Sequence, residues 1–305
     1  MTEVVTLGET MVAMHAEGLL RLGTTLRTSI AGAESNVAIG LARLGRRVRW
    51  AGRVGRDEPG ELVLRTLRAE NVDVSTVDHD DAPTGLILFE QRLPDVTRVQ
   101  YYRAGSAGSR LGEDDVVGAL GEGVRLVHLS GITPALGDGP RAAVRAALRR
   151  AREVGAEVSF DVNFRSRLWS AAEAADVLTP LAEQAHIVIG SAEELDLVGG
   201  PESLLSTGVR EVVTKLGAQG ASAVTADGEW SAPGQRVPVV DSVGAGDAFT
   251  AGYLSAFLDG LGVPDRLVRG NACGAFAVAT SGDWEGCPTR IELGLLGAGE
   301  GTVLR

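Results

Sequence analysis

Short apolar runs of strand length alternate with helix-patterned stretches along most of this chain, and no other feature restricts its fold as strongly. "VVTLG" (Val4–Gly8) and "RRVRWAGRVG" (Arg46–Gly55) read as strands. Between them, "ESNVAIGLARLG" spaces its apolar residues helically and ends on Gly45 as a stop signal. Further on, "VRLVHLSG", "AEVSFDVN", "AHIVIGS" and "EVVTKLG" are strand-length runs, each separated from the next by a helical pattern. One of these, "PRAAVRAALRRAREVG", carries Pro140 near its start and Gly155 at its end, as helix boundaries require. Strands alternating with helices predict an α/β fold whose mostly parallel sheet is covered on both faces. Ligands of such sheets sit beyond the carboxyl ends of the strands.

Two stretches break the alternation. "TTLRTSIAG" (Thr24–Gly32) and "TGLILFEQRLPDVTRVQYYRAG" (Thr84–Gly105) read as β-ribbons, the second a hairpin turning near Pro94-Asp95. They predict a small second sheet, built from about 11–31 and 84–105, that forms a lid over the strand ends. With no low-complexity linker and no internal repeat, the expectation is one domain over 1–305. An exposed sheet edge on the lid invites pairing with a second copy, so a homo-oligomer is expected.

Charge narrows the partners. A formal net charge of -11 disfavours nucleic acid and acidic membrane surfaces, while leaving room for a local basic pocket. Cys273 and Cys287 have no metal-ligand spacing and suit a reducing compartment. "MTEVVTLGET" lacks the basic and apolar regions of an export signal, and no apolar run approaches the ~20 residues of a membrane helix. A cytoplasmic protein is expected. The four histidines (His15, His79, His128, His186) are scattered and suggest no chemistry. Lys215 is the one lysine, against 28 arginines, and Leu216 follows it. A Walker-type phosphate loop is therefore absent.

"VGAGDAF" (Val243–Phe249) holds the most suggestive chemistry. Val239-Val240 read as the end of a strand, and a helix is expected from about Gly246 to Leu258. The first N–H groups of a helix lack intrahelical partners and carry positive potential. Gly244, Ala245 and Gly246 would then cradle an anion, the glycines letting a phosphate approach the backbone. Asp247 should stay ionised in the same field and could accept a hydroxyl proton during phosphoryl transfer. Asp at a helix start is also common for capping reasons alone, so this segment leaves both readings open.

Taken together, three segments are more specific. "AGAESNVAIGLARLG" (Ala31–Gly45), "GRVGRDEPG" (Gly52–Gly60) and "DSVGAGDAFTAG" resemble the paired motifs of the ribokinase/PfkB family of sugar kinases. Gly32, Asn36, Gly45, Gly55, Asp57 and Gly60 fall where the first motif wants them; Ser242 stands where the second usually has Thr or Pro. The resemblance implies a ribokinase-like three-layer sandwich with a β-lid, ATP as phosphoryl donor, Mg²⁺, Asp247 as base and the Gly244–Asp247 backbone as anion hole. It further implies a nucleotide site drawing on Asn163, Ser191, Lys215, Gly217, Gly220, Val243, Gly244, Gly246 and Asn271. The family's Asn-x-x-Glu motif, whose Glu organises water around Mg²⁺, reads "SAEEL" here. Ser191 replaces the Asn and Ser191-x-x-Glu194 has the spacing of a capping box, so Glu194 either keeps an indirect metal role beside the cap or only caps the helix. A K⁺ or other monovalent-cation site near Asp241 and Val243 stays open.

Within the family, "RVQYYRAGSAGSRL" (Arg98–Leu111), "SGITPAL" (Ser130–Leu136) and "FDVNFRSRLW" (Phe160–Trp169) resemble the 2-dehydro-3-deoxygluconate kinases. The implied substrate is a sugar acid phosphorylated on its primary hydroxyl. Its carboxylate would be held by Arg103 and Arg165, whose guanidinium forks suit carboxylates. Tyr101, Gly32, Ala33, Asn36, Ile132 and Asp283 would complete the sugar site. Ile87 stands where such enzymes can carry a further substrate-contacting Tyr. A neutral-sugar kinase of the fructokinase or ribokinase type stays open, as does a non-catalytic sugar sensor on the same fold. Without the resemblance, Tyr101 and Arg103 would read as the solvated face of a strand, and Arg165 and Arg167 as surface residues.

Overall fold

The structure is a computed structural model that describes residues 1–93 and 96–297. Its centre is an eight-stranded sheet. In spatial order the strands are β14 (Gly228–Ala232), β13 (Ala221–Thr225), β12 (Glu211–Lys215), β11 (Ile187–Ser191), β10 (Glu157–Asp161), β9 (Leu126–Ser130), β1 (Val4–Leu7) and β4 (Val48–Ala51). From β12 to β4 all pairings are parallel; β13 and β14 turn back antiparallel at one edge.

Two apolar cores cover the sheet's faces. One packs Val5, Leu7, Val127, Leu129, Val158 and Phe160 against helices α3 (Glu113–Val117), α4 (Asp138–Val154), α5 (Ala171–Ala182), α6 (Ala192–Leu197) and α7 (Gly200–Ser206). The other packs Val48, Trp50, Leu126, Ile187 and Ile189 against α1 (Ala33–Arg43), α2 (Glu58–Ala69), α8 (Ala245–Leu258) and α9 (Val263–Val278). The expected three-layer α/β sandwich is what forms. Gly155 ends α4 in the left-handed conformation at φ 68°, as its place in the sequence requires.

The small sheet is equally real, in the order β3 (Leu26–Ala31), β2 (Met11–Ala16), β7 (Leu86–Leu93) and β8 (Val96–Tyr102). The turn expected at Pro94-Asp95 lies outside the described residues. One face of this sheet, with Val12 and Ile30, joins the main core; the other carries Met11, Ala13, Ile87 and Phe89. Strand β3 runs straight into α1, so the first ribbon delivers the chain back to the body.

Two strand expectations need correction. Arg46–Gly55 is two strands, β4 and β5 (Arg53–Gly55), and β5 leaves the main sheet to pair with β6 (Asp78–Asp80). The break falls at Gly52, where a Cβ would overlap the Trp50 ring folded back over the chain. Val239-Val240 is no strand: the residues are 72% and 62% exposed, and the N–H groups of Val240 and Asp241 both reach the Val278 carbonyl at the end of α9. Three motif residues, Gly55, Asp57 and Gly60, form one brace. Asp57 caps α2 through the Gly60 N–H at 2.8 Å and accepts from the N–H and hydroxyl of Thr84 at 2.8 and 2.7 Å. Thr84 in turn accepts from the Gly55 N–H at 2.8 Å, fixing the entry to β7.

Candidate active site

Helix α8 begins one residue earlier than expected, at Ala245, with Gly244 as its cap. Gly244 sits at φ 73°, and a Cβ there would overlap the carbonyl oxygen of Asp283. The glycine is thus demanded by the turn's own packing, a stronger reason than phosphate access. Gly246 has room for a Cβ, its nearest neighbour being Lys215 Nζ at 3.6 Å. No side chain caps the helix, so its first N–H groups present the positive end of the dipole to the open site.

Asp247 lies in the first turn of α8, and its carboxylate meets α1. Asn36 Nδ2 donates to Asp247 Oδ2 at 2.8 Å, joining residues 211 apart in sequence. The helix field expected to keep Asp247 ionised is opposed by its surroundings. Burial pushes its carboxyl up to about 6, opposed by the Asn36 amide; the Asp161 carboxylate adds to the rise, and Lys215 and Arg165 reduce it. Desolvation outweighs the dipole here.

Beneath this turn, Lys215 at the end of β12 donates to both oxygens of Asp161 at the end of β10, at 2.9 and 2.7 Å. Thr250 of α8 also reaches Asp161, at 3.4 Å. Next to them Asn163 is buried at φ 40°, a left-handed conformation that Asn tolerates. Ser191 and Glu194 form a full capping box, and the second Glu194 oxygen accepts from the Phe164 N–H at 2.9 Å. Among the described residues no group of three or more His, Cys, Asp or Glu side chains gathers as a metal site.

On the other side of Asp247, Arg103 follows β8 and pairs with buried Glu9 at 2.5 Å, its guanidinium 5.9 Å from the Tyr101 ring. Its charge is therefore partly matched within the protein. Tyr101 is 43% exposed and lies directly across the small sheet from Ile87. Arg165 is half exposed, 4.0 Å from Glu194, and near enough to Asp247 to act on its titration. Gly32 caps α1 in extended conformation, and a Cβ there would lie 2.5 Å from the Glu9 carbonyl oxygen. Ala33 is the first residue of that helix. Ile132 is half-buried at a short turn after β9, its N–H bonded to Ser130 Oγ at 3.2 Å. Asp283 is buried; desolvation and the carboxylates of Asp247, Glu285 and Asp241 push it up to about 8, so it holds its proton at neutral pH.

The remaining positions expected on the nucleotide side do structural work in the chain. Gly217 and Gly220 adopt φ 57° and 103° in the turn after β12, and a Cβ at Gly220 would overlap the Ala232 carbonyl oxygen. Asn271 spends its amide on the carbonyls of Ala232 and Pro233, at 2.9 and 3.1 Å. Asp241 accepts from the N–H groups of Val243 and Gly282, at 3.1 and 3.3 Å. Val243 is exposed beside it.

Sequence reasoning passed over Glu9, Glu34 and Asp161. Glu34 of α1 is fully buried, accepts from Thr133 Oγ1 at 2.5 Å, and is pushed by burial up to about 7. Gly8 makes room for its carboxyl. The one available signal was Glu34's place two residues after a motif glycine, where an acid in an otherwise apolar helix face is unusual.

The site can be set beside known proteins. The model of the pfkB family carbohydrate kinases matches residues 1–290. A 2-dehydro-3-deoxygluconokinase of Bacillus subtilis is 38% identical over 99% of this chain and 97% of its own length. The PfkB protein of Polaromonas superposes with a TM-score of 0.86 at 38% identity, covering 96% of this chain and 99% of that one. An Escherichia coli protein assigned as Ribokinase II, solved with ATP and Mg²⁺, gives 0.88 at 25% identity over 97% and 99%. With the uncapped glycine turn, its aspartate and the asparagine that meets it all in place, the chain belongs to the pfkB family of carbohydrate kinases.

Proposed function

We propose that this kinase transfers the γ-phosphoryl group of ATP to the primary hydroxyl of a sugar acid, 2-dehydro-3-deoxy-D-gluconate giving its 6-phosphate. The observation that carries the chemistry is the Asn36–Asp247 bond. It fixes one carboxylate oxygen and leaves the other to take the hydroxyl proton as the sugar oxygen bonds to phosphorus and the bond to ADP breaks. The uncapped turn of α8 and the Lys215 ammonium, held by Asp161, face the charge that develops on the phosphoryl oxygens. Asn163, Ser191, Gly217, Gly220, Val243 and Asn271 shape the loops on the nucleotide side of that turn.

The residues fit Mg²⁺ held mostly by water and phosphate, since both oxygens of Glu194 already accept backbone N–H groups, of Phe164 and Ser191, and would reach the ion through water. When bound, the ion neutralises phosphate charge. A monovalent cation such as K⁺ beside Asp241 and Val243 belongs to the same proposal.

On the acceptor side, the small sheet serves as the lid of a single domain, bringing Tyr101 and Arg103 over the sugar, with Arg165, Ile132, Asp283, Gly32 and Ala33 around it. Arg165 is the less encumbered cation for a carboxylate, because Glu9 already claims Arg103. That claim also suits a neutral sugar, so the acceptor decides between the readings. The Bacillus subtilis relative's name supports the acid. Exposed Leu93, Val96 and Tyr102 on the small sheet support a homo-oligomer, and the absence of a helix able to span a membrane among the described residues accords with a cytoplasmic enzyme.

A coupled ADP assay with 2-dehydro-3-deoxygluconate, fructose and ribose tests the reading. Turnover should be highest with the acid by at least ~10-fold, the scale of a carboxylate–guanidinium contact; preference for a neutral sugar overturns it. Asp247→Asn should lower kcat by ~10² or more with ATP binding retained.

A further inference from the structure

Arg43 ends α1 and has been given no part in the site. Its guanidinium is nonetheless among the most engaged in the molecule. On one side Nε and Nη2 donate to the two oxygens of Glu70, the residue that closes α2, at 2.8 and 3.1 Å. On the other, Nη1 faces three backbone carbonyls of one loop: Cys287 at 2.7 Å, Glu285 at 2.9 Å and Trp284 at 3.4 Å. The Trp284 ring lies against the same guanidinium, 5.2 Å from centroid to Cζ.

The loop so gripped, Gly282–Cys287, reaches the turn into α8, Asp241 and the small sheet. Its Asp283 carboxyl is buried within electrostatic reach of Asp247, and its Asp283 carbonyl packs against Gly244 in the turn before α8. Its Gly282 N–H is bonded to Asp241. Its Glu285 reaches out to the small sheet, accepting from Ser29 Oγ of β3 at 2.6 Å, with Arg27 at 3.9 Å. The same carboxylate accepts from the Trp284 N–H at 3.2 Å. The loop contains no strand or long helix of its own, so its shape depends on such side-chain ties.

We propose that Arg43 is a positioning residue: by holding the Gly282–Cys287 loop to the α1–α2 junction, it sets Asp283 beside Asp247 and keeps Glu285 hooked on the small sheet. This rests on the kinase reading above for its functional consequence, but not for the grip itself. A lysine cannot replace the arginine, because one ammonium cannot present a planar fork to Glu70 and a separate N–H₂ edge to the carbonyls.

The test compares wild type, Arg43→Lys and Glu70→Gln, the last leaving the arginine but weakening its anchor. Hydrogen exchange, run with no substrate, should show the Gly282, Trp284 and Cys287 amides exchanging at least ~10-fold faster in Arg43→Lys while α4 and α5 stay at wild-type protection. Kinetically, KM for the acceptor should rise ~10-fold or more with KM for ATP within about twofold. The ADP formed per phosphorylated sugar should also rise above unity as the Glu285 hook loosens. Glu70→Gln should show the same pattern, smaller. Loop protection unchanged in Arg43→Lys, faster exchange spread evenly over the protein, or both KM values rising together would each overturn the proposal. A wild type inactive on every sugar acid would sink the substrate reading alone, since the exchange arm still decides the grip.

Discussion

Asp247 and Asn36 show how far a single side chain's behaviour depends on what folds against it. An aspartate in the first turn of a helix is ordinarily stabilised as an anion, yet here burial raises it to about 6 and the Asn36 amide limits the rise. As the base proposed above, Asp247 would act when deprotonated, so kcat/KM for the acceptor should fall as pH drops through about 6. Removing the amide donor in Asn36→Ala withdraws a contact that favours the charged form, and the acid limb should move to higher pH. A pH profile of kcat/KM for the two proteins measures it; an unmoved limb would separate Asp247 from that ionisation. The Asp247 carboxylate in turn helps to push the buried Asp283 carboxyl up. At this scale Asp247 was legible because glycines announce a special turn immediately before it. Asp161 and Glu9 were not. Each sits at or just beyond a strand end with no local pattern, and each finds its partner, Lys215 or Arg103, only through the fold, 54 residues away in the first case.

Among elements, the turn into α8 is the most demanding. Gly244 combines a left-handed φ of 73° with the Asp283 carbonyl where a Cβ would be. A strained backbone position costs roughly 1–3 kcal/mol before any overlap is counted. Gly244→Ala should therefore lower Tm by at least ~2 °C and abolish turnover. Gly246→Ala, with its nearest neighbour 3.6 Å off, should leave Tm almost unchanged. Thermal unfolding of the two variants reads the difference directly. Helix α4 was legible to within two residues because its apolar face repeats and Gly155 stops it. The Val239-Val240 segment misled for a physical reason: β-branched residues fit a strand only where a neighbouring strand offers partners. Here the partner is a helix end, through the Val278 carbonyl.

Over the whole molecule, the small sheet is pinned at both edges. On β3, Ser29 is bonded to Glu285, 256 residues away; on β8, the Val99 carbonyl accepts from Arg167 at 2.9 Å. The existence of a second sheet was legible where the strand–helix alternation broke, since two ribbons without intervening crossovers have no place in a parallel sheet. How that sheet is tied down was not, because the ties join single side chains across long stretches of chain.

The buried ion pair under the α8 turn has one more consequence, and it concerns reagents. Lys215 is the protein's one side-chain amine. Burial alone would make it easier to deprotonate, but the Asp161 carboxylate and the neighbouring acids reverse this and hold the proton on. An amine-directed acylating reagent should therefore modify the folded protein slowly at this position, and faster once Asp161→Asn frees the nitrogen to become a nucleophile. Peptide mapping by mass spectrometry would follow it separately from the exposed α-amino group of Met1, placing a chemical reporter beside the turn into α8 without any engineered label.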